Sequence, residues 1–137
     1  MKTKALDYAA RGLITVIFGQ TLFFKLTYAP ETQVIFADLG GRPAATLAAL
    51  IELAAIVLLW LPRKTIFGSG LALGAMFGAV VTHLAFVGIA VPTPDGTGND
   101  GGLLFAMALI VIAAASFITY HHRRELPVLG PKLAPAA

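Results

Sequence analysis

Cysteine is absent from this 137-residue chain. Thiol–disulfide exchange, thiolate metal sites and cysteine nucleophiles are excluded together. Charge is scarce: Asp, Glu, Lys and Arg make up 12% of the residues, against 58% apolar ones. No patch rich in arginine and aromatics and no nucleic-acid module is present, so the net charge of +3 does not point to nucleic acid. No Gly-Lys-Ser/Thr follows the glycine-rich segment, which excludes a phosphate-binding loop. Motifs for flavin, haem or iron–sulfur ligation are missing, as is any internal repeat.

What is present is four long apolar runs: Leu6–Tyr28, Ala44–Leu61, Thr65–Val91 and Gly101–Tyr120. A helix rises about 1.5 Å per residue, so about 20 apolar residues cross a hydrocarbon layer of about 30 Å. Only helices and closed barrels satisfy their backbone in lipid, and runs this long without period-two alternation exclude a barrel. The expected fold is all-α, a four-helix transmembrane bundle over residues 1–124 in contact with the lipid bilayer. Breakers mark the boundaries: Ala29-Pro30 after the first span, Gly40-Gly41-Arg42-Pro43 before the second, Leu61-Pro62 after it, and Val91-Pro92-Thr93-Pro94 after the third. Thr93–Gly102 reads as an exposed glycine-rich loop. Residues 125–137, with Pro127, Pro131 and Pro135, read as a flexible cytoplasmic tail. Leu13–Phe24 resembles the apolar core of a signal peptide, but Asp7, Lys25 and the lack of an A-x-A site predict retention as a first span.

Orientation follows from the basic residues. Lys2, Lys4 and Arg11 open the first span, Arg63 and Lys64 fill the second link, and Arg123 and Arg124 follow the fourth span. The third link carries Asp95 and Asp100 and no basic residue, whereas the first mixes Glu31, Asp38 and Arg42. The positive-inside rule then predicts a multi-pass membrane protein with both termini and the Arg63–Lys64 turn in the cytoplasm. The pI of about 9.5 reflects these anchoring residues.

Polar groups inside spans are costly and tend to face the bundle. Glu52 lies midway between Pro43 and Pro62, on a face with Ala45, Ala48, Ala49, Ala55, Ile56 and Leu59. The opposite face carries Leu47, Leu50, Ile51, Val57, Leu58 and Leu61. Small residues permit close helix approach, so Glu52 is expected to point inward. His83 and Gln20 lie at a similar depth, and Lys25 is close to the outer boundary with a stem that can reach inward. Glu52, His83, Lys25 and Gln20 are the candidate ligand-binding or proton-linked residues. Three readings stay open: structural glue between helices, a proton-linked or quinone-facing site, and recognition of a lipophilic or cationic ligand.

Gly70, Gly74 and Gly78 form overlapping G-x-x-x-G steps, expected to pack helices within the bundle or between copies. Asp7 and Arg11 are placed to pair on one face. No metal site is expected. Asp95–Asp100 resembles a calcium loop in composition but lacks the distal glutamate, and His121-His122 closes the last helix, where cations suit the dipole. Trp60 and Tyr120 read as interfacial belt residues.

The ordered pieces Arg11-Gly12, Phe18-Gly19, Lys25-Leu26, Ala29-Pro30-Glu31, Phe36–Gly40 with Pro43, Ile51-Glu52-Leu53, Leu61-Pro62-Arg63 and Gly78–Leu84 resemble the DoxX family of small four-helix membrane proteins. The likeness covers Arg11 to Gly88; the fourth span matches only in hydropathy and position. It implies a cytoplasmic-membrane bundle, and some members are similar to subunits of quinone-reducing or thiol-oxidation complexes. The expectation is a membrane subunit of a redox system rather than a self-sufficient enzyme. Glu52 would be its buried acid, His83 the proton partner and Lys25 the counter-charge, with a quinone as bound cofactor and a redox enzyme or further copies of the chain as partners. The alternative is a ligand-binding, transport or purely structural bundle without redox chemistry.

Overall fold

The computed structural model of the chain describes residues 1–133. It contains five α-helices: α1 Lys2–Thr27, α2 Pro30–Phe36, α3 Gly41–Trp60, α4 Thr65–Thr82 and α5 Leu103–His122. No strand occurs among the described residues. Four of these helices, α4 counted with the turn that extends it, are long and apolar enough to cross a membrane, the architecture of a multi-pass membrane protein. They close into a ring in which α1 and α4 each pack against both α3 and α5. Short links make neighbours antiparallel. The start of α1, the end of α5 and the α3–α4 turn therefore lie at one end, and α2 and the α4–α5 loop at the other.

Local chemistry sets the helix ends. Tyr28 stops α1 in a left-handed conformation (φ 51°) with its N–H bonded back to Lys25. Pro30 then opens α2, where its fixed φ suits a first turn. Gly40 and Gly41 take φ of 105° and 66°, so α3 begins three residues before the expected Ala44. At its other end Leu61, held extended before Pro62, closes α3.

The third span ends earlier than Val91. After Thr82 the helix widens into a π turn, His83–Val87. Gly88, at φ 93° and ψ 165°, folds its N–H back onto the His83 carbonyl at 2.7 Å. Only glycine holds that backbone without strain. Beyond it, Asp100 caps α5 by accepting from the N–H groups of Gly102 (2.9 Å) and Leu104 (2.9 Å), and it also holds Val91 N–H (2.8 Å). Past α5, Arg123–Glu125 and Gly130–Leu133 form short 3-10 turns. The end of the expected tail, residues 134–137, lies outside the described residues.

The core is a small-and-large mosaic. Ile14, Ile17 and Phe18 of α1 meet Ala55 and Leu59 of α3, Ala72 and Met76 of α4, and Ala108, Val111, Ala115 and Ile118 of α5. The α3 face carrying Glu52, Ala45, Ala49, Ala55 and Leu59 is buried, and Leu47, Leu50, Ile51 and Val57 are exposed. Lipid tails are as apolar as leucine, so this sorting reflects backbone approach and polar pairing rather than expulsion from water.

Candidate functional site

Packing of the long helices is incomplete toward the end that carries α2 and the α4–α5 loop. A cavity of about 520 Å³ opens there, lined by all five helices. The short helix α2, absent from the sequence reading, covers it with Thr32, Ile35 and Phe36. Phe18, Phe24, Met76 and Met107 supply apolar wall, and Lys25, Glu52, His83 and Gln20 supply polar groups.

Glu52 is 2% exposed. Lys25 Nζ forms an ion pair with its Oε1. The Thr21 hydroxyl lies 2.9 Å from its Oε2 and 3.0 Å from the Phe18 carbonyl. A carboxylate is the stronger acceptor for that single proton. The pair fastens α1 to α3, and its carboxylate is satisfied at both oxygens. An isolated carboxylate in this setting would be costly.

His83 stands apart from that pair. It makes no hydrogen bond to Glu52 or Lys25, so the three do not form one bonded cluster. The residue is 6% exposed, and its ring forms a T-shaped pair with Phe105 (centroids 5.5 Å apart). Nδ1 lies 2.8 Å from the Gly88 carbonyl. A carbonyl can only accept, so Nδ1 carries the proton, and in the neutral ring Nε2 is left as a bare acceptor. Nε2 has no partner among the described residues, and His83 lines the cavity. Gln20 is exposed on the wall and makes no side-chain hydrogen bond among the described residues.

As packing within the bundle, the glycine stripe needs correcting. A Cβ added at Gly70, Gly74 or Gly78 would meet nothing within 4 Å, so these residues pack no helix within the bundle. The close approach is at Gly68, where a Cβ would lie 2.5 Å from Leu59 N and 2.9 Å from the Ala55 carbonyl. Gly74 and Gly78 line the cavity instead.

A second polar network, where the start of α1 meets the end of α5, was only half visible in sequence. Asp7 pairs with Arg11, as the four-residue spacing suggested. His122 joins them, with Nε2 3.0 Å from Asp7 Oδ1 and Nδ1 2.6 Å from Glu125 Oε1. Arg11 Nη1 donates to the Leu59 carbonyl at 3.0 Å, satisfying the open end of α3. Trp60, expected at the interface, donates to Thr15 Oγ1 at 2.9 Å. Asp7, His121 and His122 bring ligand-type atoms within 4.8 Å of one another. A cation placed there would meet the Arg11 guanidinium, which bonds Asp7 and also lies 3.0 Å from His122.

In the α4–α5 loop the carboxylates serve their own backbone. The Thr93 hydroxyl and the Thr97 amide hold Asp95 below its ordinary 3.8, at about 2. For Asp100 burial acts upward, but the amides of Leu104, Gly102 and Val91 hold it below its usual value.

No protein-family model matches the chain, and neither a curated protein nor a solved structure matches it at a significant level.

Proposed function

We propose that the chain is a multi-pass subunit of a redox system in the cytoplasmic membrane that holds a lipophilic, quinone-type molecule in the cavity. The observation that carries this is the cavity itself: about 520 Å³, within the 300–1,000 Å³ typical of small-ligand sites, with apolar walls and a few convergent polar groups. A bound quinone would supply the electron-accepting chemistry, which no side chain of this cysteine-free chain provides. The protein's own part is positional. Phe18, Phe24, Met76 and Met107 exclude water, the Lys25–Glu52 pair fixes charge on one wall, and the unprotonated Nε2 of His83 accepts a proton from a hydroxyl of the reduced form. The resemblance of Arg11–Gly88 to the DoxX family points the same way. Basic residues at the termini and at Arg63–Lys64 support termini in the cytoplasm, which puts the cavity in the outer half of the bilayer.

Native mass spectrometry of protein extracted from its own membranes tests this. A co-purifying quinone is expected, and Gly74→Phe, which projects a ring into the cavity, should lose it. Absence of any lipophile, or equal retention by Gly74→Phe, would refute the reading. The non-redox alternative is favoured by the lack of any electron-carrying group in the sequence, and a bound lipophile of another class would decide for it.

A further inference from the structure

We infer that the cavity selects a lipophile whose polar head donates a hydrogen bond, a phenol, quinol or alcohol, and that His83 Nε2 is the acceptor. This rests on the cavity reading above and adds the chemical form of the ligand: of a quinone couple, the hydroxyl-bearing quinol is the form that His83 holds. The argument is one of donors and acceptors. The Gly88 carbonyl fixes the imidazole tautomer, because Nδ1 at 2.8 Å must donate to it. Gly88 is itself held, since its N–H returns to the His83 carbonyl at 2.7 Å, so the ring and its acceptor form one rigid unit at the π turn. Such turns are frequent at functional sites. In the neutral ring Nε2 is then a lone pair, without a protein donor among the described residues, on a residue 6% exposed that lines the cavity.

The protein donors lining the cavity do not fill that role, and none of them, Gln20, Thr32 and Thr82 included, is hydrogen-bonded to Nε2. The Lys25 ammonium is drawn to Glu52, and the Thr21 hydroxyl lies between Glu52 and the Phe18 carbonyl. A ligand carbonyl placed at Nε2 would set lone pair against lone pair. A hydroxyl there completes the ring's hydrogen bonding, and Lys25 retains N–H groups able to donate to a second ligand oxygen. A buried acceptor left unmatched is penalised, which is how a site built around a hydrogen bond rejects a ligand lacking its partner.

The test uses purified full-length protein in detergent with two probes, nonylphenol and its methyl ether, read by equilibrium dialysis. The ether keeps the oxygen acceptor and loses the donor. The phenol should bind about five- to tenfold tighter, the worth of one neutral hydrogen bond. His83→Asn should abolish the preference, because its amide can still donate to the Gly88 carbonyl but has no atom at the Nε2 position. Equal affinities in the wild type, with both probes expelled by Gly74→Phe, overturn donor selection and leave the cavity reading standing. Failure of both probes to bind overturns both. A preference that persists in His83→Asn removes the assignment to His83. Should that variant fail to fold, His83→Met, which has an apolar side chain of similar length and no nitrogen acceptor, is read in its place with the same two outcomes.

Discussion

Breaking the Lys25–Glu52 pair from either side should give unequal losses that are strongly non-additive. Lys25→Met leaves the Glu52 carboxylate, 2% exposed, with only the Thr21 hydroxyl. Removing one partner of a buried pair costs about 3–5 kcal/mol in soluble proteins, and polar contacts between membrane helices measure lower, about 0.6–2 kcal/mol. A loss of about 2–3 kcal/mol is therefore expected for Lys25→Met. Glu52→Gln leaves an ammonium on a flexible stem whose side chain is already 17% exposed. That stem can swing toward the membrane boundary, so about 1 kcal/mol is expected. The double variant removes both charges together and should recover about 1–2 kcal/mol of the summed losses. His83→Gln combined with Glu52→Gln should be additive, since no hydrogen bond joins the two residues. The assay is reversible unfolding in mixed detergent micelles, with all variants compared at one pH and salt concentration. Additive losses for Lys25→Met with Glu52→Gln would refute the pairing, and coupling between His83 and Glu52 would refute their separation.

Gly68→Ala should destabilise the bundle by about 1–3 kcal/mol through overpacking of α3 against α4, whereas Gly74→Ala should fold normally; equal thermal stability of the two would reverse the face assignment. Asp100 has a folded pKa below 3.8, so its contribution is complete above that value and is lost as pH falls through the lowered one. Thermal scans from about pH 5 to about pH 3 should show that loss in the wild type and a shallower one in Asp100→Asn. With no native thiol, Thr97→Cys should label only from outside the cell and Lys132→Cys only from the cytoplasmic side. The opposite pattern would invert the proposed orientation.

The sequence alone determined the number of spans, their approximate limits and the inward face of α3. These are local properties: a helix in lipid must satisfy its own backbone, proline and glycine stop it, and the alanines beside Glu52 show where neighbours can approach. Asp7 and Arg11 were readable for the same reason, being one helical turn apart. What the tertiary structure decided depends on where distant helices lie around one another. The G-x-x-x-G spacing drew attention to Gly70, Gly74 and Gly78, yet α3 approaches α4 at Gly68, and two residues turn a helix by about 200°. Lys25 reaches Glu52, and Arg11 reaches the Leu59 carbonyl and His122, only because the ring sets α1 between α3 and α5. The cavity likewise exists because packing tightens around Leu59 and Ile118 and stops short of Glu52 and His83. No single helix encodes that gap. The tautomer of His83 was fixed by one backbone carbonyl, Gly88, placed by a π turn that hydropathy does not register.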